Sequence, residues 1–194
     1  MKKTILTIFF IIFFVTSANS ETKEIKPIND GNIDAKIHLI VYESLTCGHC
    51  ADFHKNIYPD LKKSFIDKGL VKIEFRSFPL DIAGLNASKI AHCKNDGKSD
   101  VLHFLFLNQK KWAKGDTIKE INSNLNKIFS TKKYEIDTYK CIENKEIEDH
   151  ILEGRIEAVK KFKINATPTL IINNEKFDKP ITFKNLKKVL EKLI

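Results

Sequence analysis

The pattern of apolar and polar positions predicts a βαβ unit near the beginning of the chain. A mainly apolar, β-branched run over Ile37–Glu43 is typical of a buried strand. Residues 71–76 alternate between apolar and charged side chains, which indicates a strand with one buried face. The stretch between them, residues 50–66, has a helical pattern that Pro59 should kink and that should end at Gly69. The crossover between the two strands is expected to be right-handed.

The middle of the chain, from about residue 83 to residue 162, predicts helices throughout. One helix would begin at Ser99 or Asp100 and is apolar on almost every side, so it should be buried nearly all round. The last helix of this region, over residues 146–162, is amphipathic. Its predicted apolar positions are Ile147, Ile151, Ile156 and Val159.

Beyond residue 164 the pattern returns to strands. Residues 168–172 and 175–177 flank an Asn173-Asn174 turn, a combination typical of a β-hairpin. Thr182 can cap a final helix through its hydroxyl. The chain therefore closes with two short strands and a helix.

The order of these elements predicts the fold class. A βαβ unit, a helical block and a closing αββα arrangement make an α/β thioredoxin fold with an all-helical segment inserted at about residues 83–150. Residues 21–35 are polar and contain Pro27, so they predict a lead-in segment before the first strand. One domain would span residues 21–194, which is long enough for a substantial core.

The first twenty residues have the layout of a secretory signal peptide. Lys2 and Lys3 supply a charged start, residues 5–15 are apolar, and Ala18-Asn19-Ser20 is a small-residue cleavage site before Glu21. The apolar stretch is shorter than the ~20 residues of a membrane span, and an uncleaved N-terminal anchor is the alternative. Export predicts a periplasmic location, where the oxidising environment lets disulfides persist.

Charge and composition narrow the function classes. The formal net charge of +8 falls to +6 when the two lysines of the signal peptide are removed. The remaining lysines are scattered in pairs such as Lys62-Lys63, and no dense basic run is interleaved with aromatic residues. Nucleic acid is therefore not an expected partner.

Cys47-Gly48-His49-Cys50 stands where the first predicted strand meets the first predicted helix. A C-x-x-C motif at such a junction indicates a thiol–disulfide redox site. The free backbone N–H groups and the positive end of the helix dipole would stabilise a Cys47 thiolate, the form that attacks disulfides. His49 would add a donor and, when protonated, a positive charge; the alternative is a solvent-facing side chain.

Metal binding is the alternative use of this cysteine pair. His54 could supply a third ligand, but the sequence has no second C-x-x-C motif. Redox chemistry is therefore favoured, and no cofactor and no metal are expected.

Three stretches resemble the DsbA-like thioredoxin family of exported thiol oxidases. They are SLTCGHCADFH at residues 44–54, FLFLNQKKW at residues 104–112 and ATPT at residues 166–169. The resemblance covers nearly all of the chain after the signal peptide. It implies that Cys47 is the nucleophile, that Cys50 is its buried partner, and that Thr167 and a cis Pro168 face the active-site disulfide. Without the resemblance, an ordinary trans proline would be favoured.

The resemblance also directs attention to an acidic residue beside the redox pair. Family members often carry one six positions before the first cysteine, where this chain has Val41. Glu43 lies two residues further along the same strand face and could accept a proton. A surface carboxylate at the strand end is the favoured interpretation of Glu43.

Two further cysteines, Cys93 and Cys141, lie in the predicted helical block. Some relatives of this family carry a second disulfide, so the resemblance implies that these two residues form a structural bond. Two separate buried thiols are the alternative.

By resemblance, the protein is expected to be a monomeric thiol:disulfide oxidase. Its Cys47–Cys50 disulfide would pass to reduced, unfolded exported proteins, and a membrane-embedded, quinone-linked partner of the DsbB type would reoxidise it. Isomerases of this group usually carry an N-terminal dimerisation module, for which the residues between the signal peptide and the first strand leave no room. The alternatives are a disulfide reductase or isomerase and, from another class, a metal-binding protein of the metallochaperone type.

Overall fold

A mixed β-sheet lies at the centre of the molecule. The computed structural model describes residues 24–130 and 134–194. Over these residues the sheet has five strands: β1 Ile28–Asp30, β2 Ile37–Glu43, β3 Val71–Ser77, β4 Thr169–Ile172 and β5 Glu175–Lys176. They lie side by side in the order β1-β3-β2-β4-β5. The central strand β2, Ile37–Glu43, pairs in parallel with β3, Val71–Ser77. Both strands are buried along most of their length because helices cover the sheet. The predicted βαβ unit is confirmed.

Strand β1, Ile28–Asp30, lies in the stretch predicted as a lead-in segment, which therefore contributes to the sheet. It pairs antiparallel with β3, and Asp30 lies opposite Ile73. Three residues are too few to show an alternating pattern, so the strand is defined by its pairing rather than by its sequence. This pairing brings Asp30 close to the helices on the sheet.

The closing hairpin is confirmed. Strand β4, Thr169–Ile172, pairs antiparallel with β2, and the short β5, Glu175–Lys176, extends the sheet. Asn173 and Asn174 form the turn with φ angles of 47° and 71°, which asparagine tolerates better than most residues. Because Thr169 lies opposite Tyr42, the residues just before β4 meet the end of β2.

The helix after β2 is broken, as Pro59 predicts. Helix α1 spans Gly48–Asn56, and α2 spans Tyr58–Leu61 and continues into a π-helical turn over Lys62–Ile66. The break falls at Ile57 because Pro59 has no backbone N–H to donate into α1.

The predicted helical block consists of short helices between β3 and a long helix. Its members are α3 Ile82–His92, α4 Asp100–Leu107, α5 Gln109–Trp112, α6 Ile118–Phe129 and α7 Thr138–Glu143. Trp112 is fully buried, as expected of a core residue. Helix α4 is less buried than predicted, because Leu107 is 63% exposed.

The long helix α8, Lys145–Phe162, confirms the predicted amphipathic helix but buries a narrower face. Ile147 and Ile151 are buried, whereas Ile156 and Val159 are 50% and 42% exposed. The final helix α9, Phe183–Leu190, begins as predicted at Thr182, whose hydroxyl accepts the backbone N–H of Asn185.

The predicted signal peptide, residues 1–20, lies outside the described residues. Within residues 24–130 and 134–194, no helix is both long and apolar enough to cross a membrane.

Candidate active site

The redox motif lies where the carboxyl end of β2 turns into α1. Cys47 occupies the N-cap position of α1 and is partly exposed, whereas Cys50 lies one turn further and is 0% exposed. Both carry free thiols in this structure. The preceding loop is anchored from α5, where Gln109 Nε2 donates to the carbonyls of Leu45 at 2.8 Å and Cys47 at 2.9 Å. These two hydrogen bonds explain why a polar residue, Gln109, stands in the stretch of residues 104–112 that resembles the DsbA-like family.

The surroundings of Cys47 favour its thiolate. Its Sγ donates to the Thr167 carbonyl at 3.3 Å in the thiol form. A hydrogen bond from the Cys50 thiol is the largest influence that lowers the pKa of Cys47 to about 5. Thr167 and the backbone N–H groups of Cys50 and His49 lower this pKa further, against the opposite effect of burial. Cys47 is therefore ionised at neutral pH and accessible, as a nucleophilic thiol requires.

Cys50 has the opposite character. Burial raises the pKa of its thiol, and the neighbouring Cys47 and the charge of Glu43 raise it further. Cys50 therefore holds its proton at neutral pH, and that proton must leave before the sulfur can attack.

The side chain of His49 points to solvent more than the sequence suggested. His49 is exposed and shares a surface groove of about 300 Å³ with Phe53, Thr167, Pro168 and Ile181. Its backbone N–H contributes to the low pKa of Cys47. A contribution from its side chain stays a prediction.

The Thr167–Pro168 peptide is cis and lies next to the redox pair. The Thr167 carbonyl accepts the Cys47 thiol, so the backbone just before Pro168 is already in contact with the redox pair. The hydroxyl of Thr167 is buried and has no hydrogen-bond partner in this thiol form. It is therefore free to respond when Cys47 ionises or forms a bond to another sulfur.

Glu43 is not a surface carboxylate, so the interpretation favoured from the sequence is wrong. It is 2% exposed and lies against His54 of α1. Its Oε2 lies 2.7 Å from His54 Nε2, while Oε1 is buried without a hydrogen-bond partner. Burial raises the pKa of Glu43 well above its ordinary value; His103 opposes this rise and the charge of Cys47 adds to it.

Two polar residues that the sequence did not single out, His103 and Asp30, are linked to Glu43 through His54. His54 Nδ1 lies 2.7 Å from His103 Nδ1, and His103 Nε2 lies 3.4 Å from Asp30 Oδ2. A signal for His103 existed, because it is the one polar residue inside the apolar run of residues 101–107. Asp30 had none, since its strand was not predicted.

These contacts also bear on the metal-binding alternative. Both ring nitrogens of His54 are engaged by Glu43 and His103, so neither is available as the third ligand beside Cys47 and Cys50. Among the residues that the structure describes, no group of three or more His, Cys, Asp or Glu side chains is arranged to hold a metal ion.

A second, more apolar groove lies beside the loop that leads into the motif. It has a volume of about 560 Å³ and is bounded by Thr46 on one side and by the starts of α3 and α6 on the other. Ile82 and Ile118, which line it, are 65% and 40% exposed. These side chains leave an exposed apolar surface beside the loop that carries the motif.

Cys93 and Cys141 form a disulfide away from the redox pair. Cys93 caps the end of α3 and Cys141 lies in α7, with 48 positions between them in the sequence. The bond closes the helical block on itself.

Comparisons with known proteins agree with this architecture. A family model described as thioredoxin matches residues 23–192. The crystal structure of alpha-DsbA1 from Wolbachia pipientis superposes with a TM-score of 0.75 at 30% identity, covering 86% of this chain and 90% of that one. Disulfide bond formation protein D of Bacillus subtilis is 28% identical over 168 residues, which are 84% of this chain and 74% of that protein.

A Rickettsia bellii protein named as a protein-disulfide oxidoreductase is 31% identical over 145 residues, 74% of this chain and 55% of that protein. The chain thus spans a little over half the length of the Rickettsia relatives that it matches. Because the family model covers all but the ends of the sequence, and the solved neighbours share the arrangement of sheet and helices, the chain belongs to the thioredoxin family, in its DsbA-like branch.

Proposed function

We propose that the protein is an exported thiol:disulfide oxidase that transfers its Cys47–Cys50 disulfide to reduced, unfolded proteins. The observation that carries this proposal is the asymmetry of the pair: the pKa of the accessible Cys47 falls to about 5, while that of the buried Cys50 is raised. A stabilised Cys47 thiolate favours the reduced form, which makes the disulfide a stronger oxidant.

Both steps of disulfide transfer to a substrate follow from this asymmetry. A substrate thiolate attacks Cys47 Sγ, the S–S bond to Cys50 breaks, and Cys50 takes up a proton. A second substrate thiolate then attacks the substrate sulfur of the mixed disulfide, and Cys47 leaves as a thiolate. The substrate loses two electrons, and the Cys47–Cys50 pair gains them.

Glu43 is proposed to exchange the proton with Cys50, because it raises the pKa of that thiol electrostatically and its buried Oε1 has no hydrogen-bond partner. The two grooves beside Cys47 suit extended, partly apolar substrates. A membrane-embedded, quinone-linked protein of the DsbB type is the proposed reoxidant, and the protein is proposed to act as a monomer.

The equilibrium of the Cys47–Cys50 pair with glutathione tests the proposal. The expected reduction potential lies nearer to about −120 mV, typical of strong oxidants, than to the about −270 mV of thioredoxin-type reductants. The protein should also restore activity to a reduced, unfolded substrate enzyme in the absence of other oxidants. A potential near that of the reductants, or repair of scrambled but not of reduced substrates, would replace the oxidase with a reductase or isomerase.

Two further measurements address metal and export. Metal content after purification under reducing conditions should be negligible, and one equivalent of tightly bound metal would support the metal-binding alternative. Protein recovered from the exported compartment should begin at Glu21. A retained N-terminal segment there would instead indicate an anchor.

A further inference from the structure

A line of hydrogen bonds leads from Glu43 to a surface cavity that is separate from the grooves at Cys47. Glu43 Oε2 lies 2.7 Å from His54 Nε2, and His54 Nδ1 lies 2.7 Å from His103 Nδ1. His103 Nε2 lies 3.4 Å from Asp30 Oδ2. The four residues come from β2, α1, α4 and β1, so only the folded chain brings them into line.

The line runs from the core to water. The side chains of Glu43 and His54 are 2% and 0% exposed, whereas those of His103 and Asp30 are 18% and 22% exposed. His54 and His103 border an open cavity of about 390 Å³. Neither Cys47 nor Cys50 lines this cavity, so it offers a second route to solvent.

The line has a defined polarity because each imidazole uses both ring nitrogens. With a proton on Glu43, Glu43 donates to His54, His54 donates to His103, and His103 donates to the Asp30 carboxylate. When one proton moves through each bond, every donor becomes an acceptor and the proton ends on Asp30. No ring has to rotate and no charged imidazole has to persist.

The charge states of the groups suit that polarity. Burial lowers the pKa of His54 to about 3 and also lowers that of His103, which favours the neutral form of both rings. Burial raises the pKa of Glu43. Burial acts likewise on Asp30, but hydrogen bonds from His103, Tyr58 and Ser99 outweigh it and lower the pKa. These opposite pKa shifts favour a proton at the Glu43 end of the line over a proton at the Asp30 end.

Other titratable groups surround the line without interrupting it. Cys47 and Cys50 interact electrostatically with Glu43, and the Tyr58 ring stacks on His103 while its hydroxyl donates to Asp30. The Phe106 ring stacks on His54 with centroids 4.0 Å apart, which keeps that ring out of water. The charged residues on the cavity rim are Lys55, Lys62, Lys63 and Asp67.

We propose that Glu43, His54, His103 and Asp30 form a relay that carries the Cys50 proton between the buried redox pair and solvent. The inference rests on the proposed thiol–disulfide exchange and adds the path of its proton. Cys50 is 0% exposed and has no direct contact with bulk water. Glu43 Oε1 is unpartnered and can take the Cys50 proton while Oε2 passes its own to His54.

The relay operates when the Cys47–Cys50 disulfide is rebuilt. The Cys47 thiolate attacks a disulfide-bearing oxidant, giving a mixed disulfide and one oxidant thiolate. Cys50 then gives its proton to Glu43, and the line delivers one proton to Asp30 and on to water. The Cys50 thiolate attacks Cys47 Sγ, the Cys47–Cys50 bond forms, and the second oxidant sulfur leaves as a thiolate. Two electrons pass to the oxidant.

With oxidised glutathione as the oxidant, formation of the mixed disulfide and its conversion to the Cys47–Cys50 disulfide can be measured separately. Rapid acid quenching and mass spectrometry of the reduced full-length protein follow formation of the Cys47–glutathione mixed disulfide and then its conversion to the Cys47–Cys50 disulfide. The test variant is His103→Asn, whose amide can hydrogen-bond to His54 but cannot relay a proton. The matched control is His92→Asn, because His92 is also a buried histidine but contacts His150 instead of the redox site.

The first step should be unchanged in both variants. The second step should be about tenfold slower in His103→Asn, because proton removal from Cys50 then depends on hydroxide that reaches it directly. Its rate in this variant should rise about tenfold per pH unit, more steeply than in the unaltered protein. If His103 only stabilised the fold, its replacement would not make the rate of the second step depend more steeply on pH.

Several results would overturn the relay. They are equal slowing of both steps in His103→Asn, a second step slowed no more than in His92→Asn, and an unaltered pH profile. If His103→Asn does not fold, Asp30→Asn is judged by the same criteria, since its amide preserves shape but takes no proton. A second step in the unaltered protein that shows no rate change in D₂O also rejects the relay. Loss of the first step in the unaltered protein would instead reject the proposed function.

Discussion

The two cysteine pairs of this chain lie in opposite environments. Cys47 and Cys50 are three positions apart at the start of one helix, whereas Cys93 and Cys141 are 48 positions apart and join two helices. The first pair has free thiols with pKa values moved in opposite directions, and the second is a closed disulfide. The same side chain is therefore a free thiol with a shifted pKa in one place and a cross-link in the other.

The difference arises from what surrounds each sulfur. Cys47 is partly exposed and receives hydrogen bonds from the helix start, which stabilise a charge. Cys141 is 1% exposed within a helical block and packs as an apolar residue. A disulfide between distant positions restricts the unfolded chain strongly, while one across a single helical turn restricts it little. Four changes test this contrast.

The largest effect is expected from Cys47→Ser. It removes the only accessible thiolate of the redox pair, so oxidation of a reduced, unfolded substrate should stop. Cys50→Ser should still form mixed disulfides but should not resolve them. Activity assays and non-reducing mass spectrometry distinguish the two variants. An active Cys47→Ser protein beside an inactive Cys50→Ser protein would reverse the assigned roles.

The second test removes the other pair. Cys93→Ala/Cys141→Ala should lower the free energy of unfolding by up to about 4 kcal/mol, from the chain-entropy cost of the loop that the bond closes. The melting temperature should fall by about 2–4 °C per kcal/mol lost. The redox equilibrium of Cys47–Cys50 with glutathione should stay the same. A changed equilibrium with little loss of stability would break the contrast between the pairs.

The sequence predicts the redox pair better than it predicts the polar residues packed beside that pair, for a physical reason. The C-x-x-C motif, the strand before it and the helix after it are neighbours in the chain, so a local pattern contains them. The meeting of Glu43, His54, His103 and Asp30 depends on packing between elements far apart in sequence. No local pattern encodes it, and its outer end lies on a three-residue strand.

Similar reasoning applies to the helices. The period of α8 predicted its existence and its first buried residues correctly. Ile156 and Val159 share that apolar character but are 50% and 42% exposed. Periodicity shows which residues share a face, but only the tertiary structure shows how much of that face is covered.

The third test compares the stabilities of the two redox forms. The depressed pKa of Cys47, about 5, stabilises the folded reduced protein by about 1–2 kcal/mol at pH 7 once solvent screening of this partly exposed group is allowed for. This stabilisation is complete above the unfolded thiol pKa of about 8.5 and is lost as pH falls through about 5. The short Cys47–Cys50 loop gives the oxidised form little entropic advantage in return.

The reduced form should therefore melt at a higher temperature than the oxidised form at pH 7, and the gap should shrink on acidification. Thermal melts of both forms between pH 4 and pH 8 measure it. Above that range Cys50, whose pKa is raised, acts in the opposite direction, because the unfolded chain ionises it first. A higher melting temperature for the oxidised form at pH 7 would favour a reductase or isomerase.

The smallest effect is expected at Thr167, and a threonine of the other region provides its control. Thr167→Val removes a buried hydroxyl that helps to lower the pKa of Cys47, so that pKa should rise and the glutathione equilibrium should move toward the protein disulfide by about fivefold or less.

Thr138 lies three positions before Cys141, is also buried, and donates to Asn126 at 2.9 Å. Thr138→Val should cost about 1 kcal/mol of stability and leave the equilibrium unchanged. Two measurements on both variants distinguish a direct contact with the redox pair from an effect of stability: the thiolate absorbance of Cys47 against pH, and the redox equilibrium with glutathione. If Thr138→Val shifts the equilibrium as much as Thr167→Val, the effect is transmitted through stability, and the contact between Thr167 and the redox pair has no special part in it.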